Sequence, residues 1–409
     1  MTRIDAYGNE IYPGQVGYQS ADRQVNEQWK PVGRTVIVDV EPKRAQLLTH
    51  SRQDTFKTCR KKHFFSYELG LRPVTDAKAL RMGAAYHDAL ENLETGGTLD
   101  SAVELVRTLY GVVDAYDQTE LDYECETVLR LVCGYVWRWE SYRLEFIAAE
   151  LPFEIPLRNP ETGGTTPNFL LAGKIDGIVK LDDGRLAVIE HKLLSEDVAS
   201  DSQLWRRLRM DHQISMYVLA ARKLGYPVDA VLYNVSCKPS IKPTLVPVLD
   251  RLGAKIVLDK YGDRVKTEKG CYRQTGDTNK GYVLQTRPML ADEWGEKLAN
   301  DIVSQPDRYY ARMEIPRLDQ DLEEYENELW DIQRTIRDAQ LNNRHFRTCN
   351  KNTCGFCSYF DICSAGFDHN SVPSGFVRLS DVNPELGRTN VNVIAPGTTA
   401  EETTYTAPF

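Results

Sequence analysis

The chain predicts an α/β fold in which helical segments flank a β-rich centre. Three observations carry this expectation. The stretch "LLAGKIDGIVKLDDGRLAVIEHK", residues 170–192, reads as two apolar strands around an acidic turn. Segments with helical apolar spacing lie on both sides of it. The length, 409 residues, exceeds what one small core needs, so one large domain with insertions or two domains are expected.

In order, residues 1–45 are polar with scattered Gly and Pro and read as an extended arm. "RMGAAYHDALENLET" places Met82, Tyr86, Leu90 and Leu93 on one helical stripe. "ELDYECETVLRLVCGYVWRWESYR" is a second helix, with Cys125 and Cys133 as small buried hydrophobes. "EFIAAELPFEIPL" is a strand, followed by the two strands of the acidic stretch, one helix around "QLWRRLRMDHQISMYVLAARKLG", and a strand at "DAVLYNVSC". Residues 250–285 give no assignable element, and no internal repeat is visible. Leu318, Leu322, Tyr325, Leu329, Ile332 and Ile336 recur at steps of four and three, as in one long amphipathic helix. From Gly366 to residue 409 the chain is rich in Ser, Thr, Asn, Gly and Pro and reads as a disordered tail.

With 42% hydrophobic and 27% charged residues, the composition is that of an ordinary soluble protein. No apolar run is long enough to span a membrane, and the first residues lack a signal-peptide core, so a cytoplasmic address is expected. A net charge of −9 argues against nonspecific nucleic-acid binding by the whole surface, though not against a local basic channel. Nine cysteines in such a chain read as thiols or metal ligands, not disulfides.

The acidic hairpin raises a physical problem. Asp176 sits within the first apolar run, and Glu190 and Lys192 close the second. Buried carboxylates cost several kcal/mol unless a cation compensates them. Side chains alternate along a strand, so Glu190 and Lys192 share a face. A two-residue turn at Asp183-Gly184 would turn Asp176 away from Glu190, whereas a three-residue loop, Asp182-Asp183-Gly184, sets Asp176 opposite Glu190 and Lys174 opposite Lys192, with Gly184 in the left-handed position such loops favour. Two carboxylates and a lysine then converge where a divalent cation bound by oxygen ligands would offset the charge. The competing reading is a structural Asp-Lys or Glu-Lys pair at a sheet edge.

Cys354-x2-Cys357-x5-Cys363 has metal-site spacing, suited to zinc or an iron–sulfur cluster. The fourth thiolate is either the local Cys349 or the distant Cys59 of "FKTCRKKHFFSY". Basic stretches near these motifs (Arg60 to Lys62; Arg206, Arg207, Arg209; Arg344, Arg347, Lys351) are candidates to track phosphate. Phe64, Phe65 and Trp205 are candidates to stack bases, with core packing as their ordinary role.

"GKIDGIV" followed by "VIEHK" resembles the D…(D/E)-x-K core of the PD-(D/E)XK nuclease superfamily. "RMGAAYH" resembles the G-x3-H helix of its RecB-type clade, and "QISMY" that clade's Q-x3-Y motif. The resemblance implies a restriction-endonuclease-like core, a mixed central sheet flanked by helices, over about 80–240 within a nuclease domain of 46–365. It implies Mg²⁺ or Mn²⁺ bound by His87, Asp176, Glu190 and the carbonyl of His191, with Lys192 catalytic and Gln213 and Tyr217 orienting the site or touching DNA. Leu193 departs from the small polar residue relatives often carry after the lysine. Stand-alone relatives of the Cas-four-like exonuclease type hold a [4Fe–4S] cluster on one cysteine before the core and three after it. This favours Cys59, Cys354, Cys357 and Cys363 over the local set, leaves Cys349 a free thiol, and staples the helical extensions together; zinc is the alternative. The expected activity is exonucleolytic hydrolysis of DNA from single-stranded ends, in recombination, repair or phage DNA metabolism, with a recombination protein as a possible partner. A non-catalytic nucleic-acid-binding protein with a structural metal site, or an iron–sulfur redox protein, are the competitors.

Overall fold

A computed structural model describes residues 45–74, 78–111, 118–383 and 386, together with the short pieces 3–4, 10–11 and 393–394. The arm expected over 1–45 lies almost entirely outside these residues.

The centre is a mixed six-stranded sheet. Its strands are β1 (Gln46–Leu48), β2 (Glu145–Arg158), β3 (Thr165–Lys180), β4 (Leu186–Leu194), β5 (Val228–Cys237) and β6 (Tyr310–Pro316). The order runs β6-β5-β4-β3-β1, with β2 along the other edge of β3. β1 is parallel to β3 and β4 to β5; the other pairs are antiparallel. The parallel pair β4 and β5 is joined by helical crossover α5 (His212–Lys223), as parallel strands require.

Helices cover both faces. On one, α5 and the long α7 (Asp319–Leu341) bury Ile214, Val218, Leu322, Tyr325 and Leu329 against Val188 and Val231 of the sheet. On the other lie α2 (Lys78–Glu94), α3 (Leu99–Gly111), α4 (Gln118–Arg138) and α6 (Ala291–Ser304), which bury Tyr86, Val106, Leu131 and Leu298 with Leu193 of β4. Met82, Tyr86 and Leu90 are buried as their spacing requires. Leu193, the departure after the lysine, is a core residue of this face. Before the sheet's main body stands α1 (His50–Thr58), capped by the Thr49 hydroxyl, which accepts from the Arg52 N–H.

Four expectations need correction. The single helix around 203–224 is two, Gln203–Leu208 and α5, because Asp211 adopts extended backbone and caps α5 by accepting from the Gln213 N–H. Residues 366–409 are not wholly a tail. Phe376–Leu379 pair antiparallel with Leu71–Pro73, and Val372 and Phe376 are buried with Phe65, Leu71 and Tyr359. The two ends of the domain are therefore already joined by a strand pair and an apolar cluster. Lys174 does not face Lys192, for the ladder between β3 and β4 ends at Gly177 and Ile189. Residues 248–285, finally, do contain a repeat: four short turns close on Gly253, Gly262, Gly270 and Gly281, each with its glycine at positive φ. Apolar periodicity cannot find it, since Val257 alone is buried between 238 and 288.

Candidate active site at the gap in the sheet

The hairpin has the register expected of the three-residue loop: Gly177 pairs with Ile189 and Lys180 with Leu186, and Gly184 has φ +87°. One edge of β3 is covered by β2. On the other, β1 pairs with Phe169–Leu171 and β4 with Gly177–Lys180, leaving residues 172–176 without a ladder partner on that edge among the described residues. Asp176 stands at this gap. Its Oδ2 accepts the His191 N–H at 2.9 Å, which takes the place of the next ladder bond.

Glu190 and Lys192 share a face of β4, and their ion pair is 2.8 Å. The Lys192 ammonium also donates to Gln213 Oε1, and Gln213 Nε2 donates to the Tyr217 hydroxyl at 3.1 Å. Positions 213 and 217 are one helical turn apart, so α5 presents both toward β4. Asp211 Oδ2 lies 3.9 Å from Lys192 and accepts from the Tyr233 hydroxyl at 3.3 Å. From the opposite side, α2 brings His87 Nδ1 to 3.8 Å from Asp176 Oδ2. The structure thus draws together His87, Asp176, Glu190, Lys192, Gln213 and Tyr217 from four elements.

Electrostatics follow from burial. Glu190, 2% exposed, is pushed up to about 7 by loss of solvent and by Asp176, against the pull of Lys192. Burial also raises Asp176, partly opposed by His191 and Lys192. Burial alone would lower Lys192, but Glu190 and Asp211 more than offset it. His87 is depressed to about 4, by burial first and by His191 next. The centre is an acidic pair with too little positive charge, and Glu190 Oε2 is buried with no hydrogen-bond partner among the described residues. That orphaned oxygen beside Asp176 fits a divalent cation. Among the described residues no three Asp, Glu, His or Cys side chains close into a ready-made cage, so the four-ligand set expected from sequence is not preassembled. The His191 ring points the other way, 2.6 Å from Glu94 Oε1 and against Asn234, leaving only its backbone toward the gap.

Three acidic residues escaped the sequence reading. Glu94 lies seven residues after His87 on the same face of α2, a spacing that could have flagged it. Asp211 stood in the capping position two residues before Gln213. Glu150 carried no signal. It stands across from Asp176 in the β2–β3 ladder, where Ala149 pairs with Gly177 and Leu151 with Ile175, and its φ is +52°. A non-glycine residue there is strained by roughly 1–3 kcal/mol. The bend lets its carboxylate pair with Lys174, which also holds Glu91 at 3.2 Å.

Five of the nine cysteines border a separate cavity. Cys59, Cys354, Cys357 and Cys363 line one cavity of about 280 Å³. Cys349, expected to stand apart, lines it as well, so position alone does not separate the two candidate sets. Thr348 N–H points at Cys59 Sγ (3.5 Å) and Arg347 Nε at Cys363 Sγ (3.2 Å), donors suited to thiolate or sulfide charge. Several thiols around one space fit a cluster in their donor chemistry, but among the described residues no three of them close into a metal site as they stand. Arg207 is paired with Glu196, while Trp205 and Phe65 are core residues, so neither ring is free to stack a base.

A mixed sheet with a gap at a pair of carboxylates, and a lysine two residues after the second, is the arrangement expected of a nuclease of the D…(D/E)-x-K type. The chain belongs to the PD-(D/E)XK nuclease superfamily, whose family model matches residues 47–364. Among solved structures it is similar to "Crystal structure of SSO0001", at 12% identity and a TM-score of 0.28, over 80% of this chain and 90% of that one. No curated protein matches it. No helix among the described residues is long and apolar enough to cross a membrane.

Proposed function

We propose that the protein is a DNA exonuclease that hydrolyses phosphodiesters at single-stranded ends, with Mg²⁺ or Mn²⁺ at the gap between β3 and β4. The observation that carries this reading is the unpartnered, buried Glu190 Oε2 beside Asp176. Asp176, Glu190, His87 and the His191 carbonyl would hold the metal. Bound there, it would supply Lewis-acid stabilisation of the phosphoryl oxygens and a more acidic water.

The chain's own residues do the rest. An ammonium has three N–H donors. Glu190 and Gln213 occupy two on Lys192, leaving one for the attacking water or a phosphate oxygen. Gln213 and Tyr217 act as positioning residues, locking the Lys192 head in place. The His191 N–H orients Asp176. Cys59, Cys354, Cys357 and Cys363 would carry a [4Fe–4S] cluster, or zinc, which reinforces the joint between the two ends of the domain. A role in recombination, repair or phage DNA metabolism suits this chemistry.

The test is incubation of the purified protein with end-labelled single-stranded and duplex DNA, with Mg²⁺, Mn²⁺ or EDTA. Mononucleotides or short products released from ends, only with metal, and lost in Glu190→Gln, are expected. Metal-independent cleavage, or full activity in Glu190→Gln, would overturn the reading.

A further inference from the structure

Residues 238–290 leave the sheet from the end of β5. Lys192 pairs with Val235, and β5 ends two residues later at Cys237, so this insertion is rooted beside the candidate site. Ile241 and Val246 pack against the helical face, Lys297 holds the Lys242 carbonyl, and Leu245–Pro247 pair with Thr286–Pro288. Beyond that root the segment bonds chiefly to itself. Ile256 N–H returns to Val248 O, Val265 N–H to Val257 O and Arg273 N–H to Val265 O, each at 2.9–3.0 Å. The result is a stack of short loops with one buried residue, Val257. Such a segment contributes little to a core, and its surface is what it offers.

That surface is cationic. Residues 250–287 hold nine Lys or Arg against five Asp or Glu, in a chain whose net charge is −9. The excess is placed with the period of the loops. Each turn displays a cation one or two residues before its glycine: Arg251, Lys260, Lys269 and Lys280. All four are exposed. Among the described residues Arg251, Lys260 and Lys269 make no ion pair, Lys260 lying 4.8 Å from the Tyr261 ring, and Lys280 makes only a loose one, 3.9 Å from Asp277. Tyrosines are interleaved with them. Tyr261 is 78% exposed, and Tyr272 is flanked by Arg264 at 3.9 Å and Lys266 at 5.3 Å.

Regularly spaced, unpaired cations alternating with exposed aromatic rings match the chemistry of a nucleic-acid strand, with phosphates at regular intervals and bases that stack. We propose that residues 248–285 form a nucleic-acid-binding arm that grips the phosphodiester backbone of the strand beyond the segment being cut. The identity of the ligand rests on the nuclease reading of the gap; the charge pattern does not.

The test compares the full-length protein with a variant carrying Arg251→Ala, Lys260→Ala, Lys269→Ala and Lys280→Ala. Binding of a long single strand is measured by fluorescence anisotropy in EDTA, over a salt series. Four lost phosphate contacts should weaken binding at least tenfold and make the log–log salt slope shallower by about 3. With Mg²⁺, cleavage of a trinucleotide too short to reach the arm should be unchanged. Equal affinity and slope in the two proteins would sink the proposal, as would binding to anionic vesicles without binding to DNA. Failure of the wild-type protein to cut any strand, with the affinity difference intact, would instead overturn the nuclease reading and leave the arm standing.

Discussion

The His191 N–H donates to Asp176 Oδ2 at 2.9 Å, one step beyond the point where the ladder between β3 and β4 stops. One residue of the D…(D/E)-x-K pattern is thereby held by the backbone of another. The bond asks only for an acceptor at position 176, not for a charge.

Asp176→Asn should therefore fold as the wild type does and fail to cut. Its side-chain carbonyl can still accept from His191, while the anionic ligand is lost. Cleavage should fall by roughly two orders of magnitude or more at a melting temperature no lower than that of the wild type, since one uncompensated buried charge is removed, read by a nuclease assay alongside thermal unfolding. Wild-type rates with Asn at 176 would remove Asp176 from the metal site.

Gln213→Leu should slow cleavage, because Gln213 is the link between the Lys192 ammonium and the Tyr217 hydroxyl. Freed of it, Lys192 can still pair with Glu190 but loses its second anchor. Tyr217→Phe, which keeps that anchor, should cost less than Gln213→Leu in kcat. The reverse order would mean that Tyr217 touches the substrate itself.

Cys59→Ser, Cys354→Ser, Cys357→Ser and Cys363→Ser should each lose iron and its visible absorption, and Cys349→Ser should keep both. All five thiols border one cavity, so this series separates the two candidate sets where proximity does not. Loss of iron in Cys349→Ser with retention in Cys59→Ser selects the local set. Zinc without colour in the wild type selects zinc.

Acid should destabilise the fold through His63. This ring is 1% exposed, and burial, then Arg52, depress it to about 2. Its Nε2 accepts from Arg52 Nε at 3.2 Å, a role only the neutral ring can play. Glu68 lies 3.7 Å from Nδ1, but Arg52 and Gln340 already bind that carboxylate. A folded pKa below the unfolded value means that the unfolded chain takes the proton first. Stability is thus lost as pH falls below about 6.5, by up to about 1.4 kcal/mol per unit from this group. His63→Gln should flatten the urea-unfolding free energy between pH 6.5 and 4.5; an unchanged slope would refute the assignment.

Much of the centre was legible from sequence because its signals are local. The α2 stripe, the β2 to β4 strands and the long α7 follow from apolar spacing, and the hairpin register from a single glycine in a loop of fixed length. The motif residues His87, Asp176, Glu190, Lys192, Gln213 and Tyr217 could be named because their order along the chain matches a family pattern.

The sequence by itself determined four of the six central strands, β2 to β5, and which side chains face the same way along β4; it set Asp176 opposite Glu190 only on condition of a three-residue loop, and it gave no sign of β1 or β6. Only the tertiary structure decided that β1 and β4 divide one edge of β3 and leave a gap at Asp176, since strand neighbours from distant segments leave no local trace. The same holds for Glu94 behind His191, Glu150 bent toward Lys174, and the strand at 376–379 that joins the ends of the domain. The loop stack at 248–285 escaped for a further reason: hydrophobic periodicity reports burial, and that segment is held by backbone hydrogen bonds and turns with almost nothing buried.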